Sequence, residues 1–428
     1  MAPRFRADHI GSLIRPQYLL DAQLQVSDFG RMHTQYNESA SHELIDKAHD
    51  AERQAIKDVV AEQVNRGITP ITSGEFERSS FVSGFFENLE GIEIRLVEWK
   101  DFRTDFPITR PYLRRNIPGR DQPIATGKVR WKQSTYMKEW LHLRSLLPEE
   151  RWKDVKITIP APNWSHTQLK DGCAYTFEAY TNEQEYLKDL GEAVRQEILA
   201  LYDAGVARDR GLIASDRFPG ALPADGVRRR FIQIDDPMVA MFCDQPFLEE
   251  QKKEGKTLDD LLDPAILAHN TAAREMPDDL TLQVHLCRGN LPKGDTAAIG
   301  GFDDMAPRLF KLNYERFALE FDDPEITGSV APLQHLPSGK VVVLGLVTTK
   351  DSELETVEAM EAKVHEAAEV IAKAQGKTRE EVIKDSIAVS PGCGFASVSV
   401  IHGIESVDVQ WEKLELVKKV AKDVLGST

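Results

Sequence analysis

The sequence predicts an α/β chain folded as a closed (β/α)8 barrel of the TIM type, with excursions between its strands. Three observations carry that expectation. About eight short apolar runs occur along the 428 residues. Long amphipathic segments separate several of them, and the residues closing the runs are unusually polar. Repeated strand–helix units favour a parallel sheet, and eight of them favour closure over an open doubly wound sheet.

The runs begin with "RFRADHI" from Arg4, "ITPITS" from Ile68, "VKITIP" from Val155 and "RFIQID" from Arg230. "TLQVHLC", "RFALEF", "KVVVLGLV" and "DSIAVSP" follow. The first and fourth are poor strands by propensity alone. Between the runs lie three clear helical patterns. The first carries Leu44, Ala48, Ala55 and Val59 and stops at Gly67. The second places Leu187, Leu190, Val194, Ile198 and Leu201 on one face and ends at Gly205. The third runs through Leu354, Val357, Met360 and Val364, with Ser352 and Glu355 fitting a capping box and Gly376 a left-handed stop. Two segments interrupt the rhythm. The stretch from Leu96, "LVEWKDFRTDFPITRPYLRRNIPGRDQPIATGKVRWK", reads as an excursion or hairpin. Residues 207–230 read as a surface insertion, or as a lid or oligomer contact. The whole of 1–428 is expected to form one domain.

Composition narrows the function classes. Hydrophobic residues at 41% and charged ones at 29% are those of a chain able to bury a large core. The net charge of −16 argues against nucleic acid as a partner. No apolar run reaches membrane-spanning length and the first residues lack a signal-type apolar stretch, so the expectation is cytoplasmic, with no membrane partner. Oligomeric state is left open. Cys173, Cys243, Cys287 and Cys393 are too few and too scattered for a disulfide framework, leaving burial, metal binding or nucleophilic chemistry.

In a parallel barrel, side chains at the C-terminal strand ends converge on one mouth. Read in order, those ends supply His9, Ser12, Glu75, Trp164, Asp235, Asp236, His285, Cys287, Glu320, Thr348 and Cys393. His285 and Cys287 are two apart in a strand, so they share a face. Imidazole plus thiolate suits zinc, although a lone pair of this kind is more often an ordinary buried His and Cys. Cys393 in the glycine-flanked "SPGCGF", and Glu320, a carboxylate inside an apolar run, complete a set of four from three strands. Bland readings stand beside the rest. Glu75 in "GEFER" could form a salt bridge with the nearby arginine, Asp235 or Asp236 could cap the helix after Pro237, and Trp164 could be core. His9 could be a substrate contact or a structural hydrogen-bonding group, and His166, Cys173 and Cys243 belong to no constellation.

"HIGS", "GEFER", "QIDDP", "HLCRGN", "ALEFDD" and "SPGCGF" occur in the order found in the catalytic domain of cobalamin-independent methionine synthase, and the chain resembles the short single-barrel relatives of that family. The resemblance implies a (β/α)8 barrel with zinc held by His285, Cys287, Glu320 and Cys393. It implies amino-acid contacts at Ser12, Glu75 and Asp235, and Trp164 beside the methyl donor. The implied activity is methyl transfer to a thiol, with homocysteine the leading acceptor and 5-methyltetrahydrofolate or another methyl compound the donor. Alkyl transfer to, or C–S cleavage of, a different thiol is the alternative, and a non-catalytic zinc- or thiol-binding protein is a second one. The sequence also departs from the family. The N-terminal folate-assisting barrel of full-length members is not expected here. "LGLVTTKDSE" puts Thr348 about where the family has a histidine after its seventh strand, and threonine cannot shuttle protons near neutral pH as histidine does.

Overall fold

The computed structural model describes residues 3–27, 33, 40–103, 106–110, 113, 119–206, 230–289, 297–398, 404 and 406–426. The predicted insertion, apart from Arg230, lies outside the described residues. Six parallel strands stand side by side in chain order: β3 (Lys156–Pro160), β4 (Arg230–Asp235), β5 (Leu280–Leu286), β6 (Arg316–Glu320), β7 (Val341–Val347) and β8 (Ile387–Pro391). The fourth apolar run is thus a full strand despite its arginine. The first two runs pair more briefly. Ala7 bridges to Val389 beside β8, and Ile71 bridges to Val155 at the start of β3, both in parallel sense. These two flanking segments also bond to one another: Leu13 N donates to Gly74 O (3.1 Å) and Thr72 Oγ1 to Gly11 O (2.7 Å).

Five long helices accompany the sheet: α1 (His42–Arg66), α2 (Glu183–Val206), α3 (Leu258–Ala272), α4 (Val357–Gln375) and α5 (Val407–Leu425). Ser41 caps α1 through its hydroxyl, and Gly67 and Gly376 close α1 and α4 where the pattern stops, at φ 62° and 65°, the left-handed turn predicted for Gly376. Two boundaries differ from the sequence reading. Gly205 lies inside α2 rather than ending it. The cap of α4 is Thr356, whose hydroxyl accepts from Ala359 N, so Ser352 and Glu355 precede the helix. Glu355 is drawn away by a stronger obligation, accepting the Thr348 backbone N–H at 2.6 Å. The excursion from Leu96 belongs to a hairpin, as expected: β1 (Glu90–Glu98) and β2 (Gly119–Arg130) pair antiparallel. Among the described residues no helix is long and apolar enough to cross a membrane.

The strands alternate sharply. Ile157, Ile232, Ile234, Leu282, Val284, Phe317, Leu319, Val342 and Leu344 join the main hydrophobic core with the helices. The other face carries Lys156, Thr158, Gln233, Asp235, Gln283, His285, Arg316 and Glu320, all buried. A small separate apolar cluster of Ile10, Ala318, Val341, Val343 and Ala388 completes it. Polar groups out of water need partners, and here they supply one another. Lys156 Nζ donates to Asp8 Oδ1 (2.8 Å) and Gln233 Oε1 (2.9 Å), and Gln283 Nε2 donates to the same Gln233 oxygen (2.9 Å). Arg316 Nε donates to Gln283 Oε1 (2.8 Å) and its Nη2 returns to Asp8 Oδ2 (3.1 Å). The circuit Asp8–Lys156–Gln233–Gln283–Arg316 therefore closes on itself. Replacing Asp8 by Ala strands two buried cations, and the expected loss of stability is about 3–5 kcal/mol. Equilibrium urea unfolding of Asp8→Ala measures it, and a loss below about 1 kcal/mol would show that the circuit contributes little.

Candidate metal centre

The alternation that buries Lys156 and Gln233 low on this face sends the next residues to the strand ends. His285 and Cys287 leave the end of β5 on one side, and Cys393 comes from the turn after β8. Their ligating atoms all lie within 4.8 Å of one another, and all three residues are buried. Beyond the neighbouring Cys287 sulfur, neither ring nitrogen of His285 has a hydrogen-bond partner among the described residues. A buried imidazole left so, beside two thiols, fits a thiophilic divalent cation.

The charges agree. Hydrogen bonding from Cys393, together with His285 beside it, pulls the Cys287 thiol well below its usual range despite burial. The same contact, reinforced by burial, pushes Cys393 up. Burial opposes a charged His285, but the Cys287 sulfur, Asp235 and Glu320 outweigh it and raise its pKa. One sulfur of the pair is thus the more acidic, at the expense of the other.

Glu320 stands outside this close group. Its Oε2 accepts from Arg288 N (3.3 Å) and Arg288 Nη1 (3.4 Å), and its Oε1 lies 3.6 Å from Lys350 Nζ. Burial raises its pKa, with Lys350 opposing. The glycines around Cys393 serve close packing of side chains. A Cβ on Gly394 would fall 2.0 Å from Ser12 Oγ, and one on Gly392 would fall 3.0 Å from the Asp322 carboxylate.

A cavity of about 760 Å³, counting its open mouth, adjoins the group and is lined by His285, Cys287 and Cys393. Ser12, Glu75, Trp164 and Asp235 also line it. Glu75 has φ 62°, a left-handed backbone rare outside glycine. Arg15 steadies it, donating to Glu75 O (2.8 Å), Arg78 O (2.7 Å) and Ala396 O (3.1 Å). Thr158 Oγ1 donates to Glu75 Oε1 (2.6 Å), while Oε2 is buried without a partner among the described residues. The salt bridge of "GEFER" is chiefly Arg78 with Glu139 (2.6 Å), Glu75 being 3.9 Å away. The two aspartates of "QIDDP" divide their work. Asp236 caps, its Oδ1 accepting from Met238 N and Val239 N, and Asp235 faces the cavity. Burial and nearby Glu75 raise the Asp235 pKa to about 7, against His285, Gln233 and Lys156. Trp164 donates to His33 Nε2 (3.1 Å) and lies under the Arg120 guanidinium, 5.4 Å from its ring centre.

Two expectations do not reach the cavity. Thr348 is absent from its lining; its hydroxyl accepts from Lys350 N (3.2 Å). His9 is also absent, its Nε2–H donating to Pro70 O (2.6 Å). Conversely, Arg120, Arg288, Asp322 and Lys350 gather at or beside the site without having been singled out. Lys350 and Asp322 stand in "TTKDSE" and "EFDD", where the strand-end rule could have found them. Arg120 comes from the hairpin, which that rule does not cover.

The cobalamin-independent synthase catalytic-domain family model matches residues 220–412. That match spans a little under half of the chain. Two curated relatives from Bacillus subtilis (strain 168), the uncharacterized proteins YxjG and YxjH, are 28% and 29% identical. The alignments cover 99% and 98% of this chain and 95% and 94% of theirs. A 5-methyltetrahydropteroyltriglutamate–homocysteine methyltransferase of Bifidobacterium animalis subsp. lactis is 30% identical over 154 residues, 36% of this chain and 17% of its own. Among solved structures, the putative vitamin-B12-independent methionine synthase of Listeria monocytogenes superposes with TM-score 0.64 at 23% identity, covering 99% of both chains. A B12-independent methionine synthase of Shewanella sp. W3-18-1 gives 0.61 at 18%, covering 97% and 96%. The fold is therefore the α/β parallel-sheet fold of these synthases.

His9 yields a prediction about stability. Burial, with Lys156 close by, lowers its pKa to about 4 from an ordinary 6.5. A base depressed on folding gives stability that is present above its unfolded pKa and lost as pH falls through the folded one. The window is therefore about pH 6.5 down to 4, worth roughly 3 kcal/mol. His9→Gln, which keeps an N–H donor, is expected to flatten that part of the stability curve. Urea midpoints between pH 4 and 7 that decline equally in both proteins would refute this.

Proposed function

We propose that the chain, 1–428 as one unit, is a zinc-dependent S-methyltransferase on a closed (β/α)8 barrel, acting on a thiol amino acid, with homocysteine the leading acceptor. The carrying observation is the convergence of His285, Cys287 and Cys393 beside a cavity lined by Ser12, Glu75, Trp164 and Asp235. The family-model match supports methyl transfer, and the mutual bonding of the Ala7 and Ile71 segments supports closure. The Bifidobacterium relative's methyltransferase activity and the selenomethionine bound in the Shewanella structure support a methionine-type amino acid.

His285, Cys287 and Cys393 would hold the zinc, with Glu320 the fourth donor within reach of the same strand ends. When bound, zinc supplies Lewis acidity that favours the substrate's thiolate at neutral pH. The rest falls to the chain. Glu75 Oε2 and Asp235 take the substrate ammonium by charge-assisted hydrogen bonds, and a cation there draws the raised Asp235 pKa down. Ser12 and the adjoining backbone receive the carboxylate. Trp164 and Arg120 form the outer wall, where the methyl donor enters. The donor is 5-methyltetrahydrofolate or another methyl compound, and Thr348 in place of histidine weighs toward the latter.

Two outcomes are expected. Purified protein carries about one zinc per chain by elemental analysis, and Cys287→Ala and Cys393→Ala each lose it while staying folded. Metal-free protein after zinc supplementation would end this reading. Glu75→Gln and Asp235→Asn keep the zinc but raise KM for homocysteine by about 10–100-fold, consistent with loss of a charged hydrogen bond. The assay uses 5-methyltetrahydrofolate, methylcobalamin and S-methylmethionine in turn. No methionine from any of them would redirect the proposal to a different thiol.

A further inference from the structure

Behind the His285, Cys287 and Cys393 group lie four buried charges, Arg288, Glu320, Asp322 and Lys350, two of each sign. Their spacing is unusual. Lys350 Nζ is 3.6 Å from Glu320 Oε1 and 3.6 Å from Asp322 Oδ2, reaching both and closing a hydrogen bond with neither. Lys350 Nζ, Glu320 Oε1 and both Asp322 oxygens have no hydrogen-bond partner among the described residues. One ammonium is thus shared between two carboxylates, and Glu320 Oε1 keeps its lone pairs uncommitted. The lysine is held there from its backbone, Lys350 N donating to Thr348 Oγ1 and Thr348 N to Glu355. The turn bearing Cys393 packs directly on Asp322 through Gly392.

We propose that Lys350 is a positioning residue of the metal centre: anchored by Asp322, it offers Glu320 an ion pair that competes with metal ligation and keeps Glu320 a ligand able to leave. The inference rests on the zinc reading above and adds to it a role for two residues of this chain. Among buried charges, the pairing a carboxylate adopts depends on which cation is nearer and less shared. Asp322 draws Lys350 away from Glu320 and so frees Glu320 for the metal. Without Lys350, Glu320 has only Arg288 as a rival partner, and the site gains a net negative charge. The two residues therefore act in opposite directions, which an ordinary structural role for either would not produce.

The test is metal affinity, read on the full chain by competition with a chromophoric zinc chelator, with folding checked by circular dichroism. Lys350→Met is expected to tighten zinc by about tenfold, Asp322→Asn to loosen it by about tenfold, and Lys350→Arg to stay near the parent, the scale being that of residues that orient metal ligands. In cobalt-substituted protein, homocysteine should shift the visible spectrum of the parent and shift that of Lys350→Met less. If the single variants do not fold, the charge-balanced Lys350→Met/Asp322→Asn variant carries the test and should still bind more tightly than the parent. Unchanged or weaker binding on loss of Lys350, with the parent binding normally, overturns the role of Lys350 alone. A parent chain that takes up neither zinc nor cobalt overturns the zinc reading and this inference with it.

Discussion

The closed circuit of Asp8, Lys156, Gln233, Gln283 and Arg316 is the constraint on which the rest of the structure depends. Each member is buried, and each would be costly without its neighbours. Because the members come from the N-terminal segment, β3, β4, β5 and β6, satisfying them fixes five stretches of chain relative to one another. It also sets height along the strands. With Gln233, Gln283 and Arg316 held in register, period-two geometry lifts Asp235 and His285 to the next level, where the cavity lies. Gln233 links the levels directly, its Nε2 donating to Asp235 Oδ1 (2.7 Å) and Ile10 O (2.7 Å). Polar burial, elsewhere a burden on stability, here aligns the site.

Much of this was legible in the sequence because it depends on local periodicity. The alternation in "VHLC" places His285 and Cys287 on one face whatever the tertiary context. Gly67 and Gly376 mark helix ends for an equally local reason. What escaped depended on competition between distant groups. Glu355 fits a capping box on paper, but the Thr348 N–H claims it, and the cap moves to Thr356. The two aspartates of "QIDDP" cannot be told apart by pattern; only the position of Pro237 relative to the strand end makes Asp236 the cap. His9 sits at a strand end like its companions, yet the neighbouring Pro70 carbonyl accepts its N–H. Arg120 enters from an antiparallel hairpin, whose meeting with the sheet no periodicity announces.

Electrostatics and packing meet at the turn after β8. Gly392 and Gly394 leave no room for a Cβ against Asp322 and Ser12. The turn can therefore press Cys393 between the acid cluster on one side and the first strand end on the other. The same closeness couples the two sulfurs, so that one is acidified at the expense of the other.

The hairpin β1–β2 stands apart in kind. It pairs with itself and with the segment around Tyr175, contributes Arg120 and the buried Gln122 near Trp164, and takes no part in the polar circuit. The inner wall of the cavity, by contrast, is carried on strands whose register the circuit fixes. A change in the hairpin would therefore alter Arg120 and the wall around Trp164 while leaving the strand-borne Asp235, His285 and Cys287 in place.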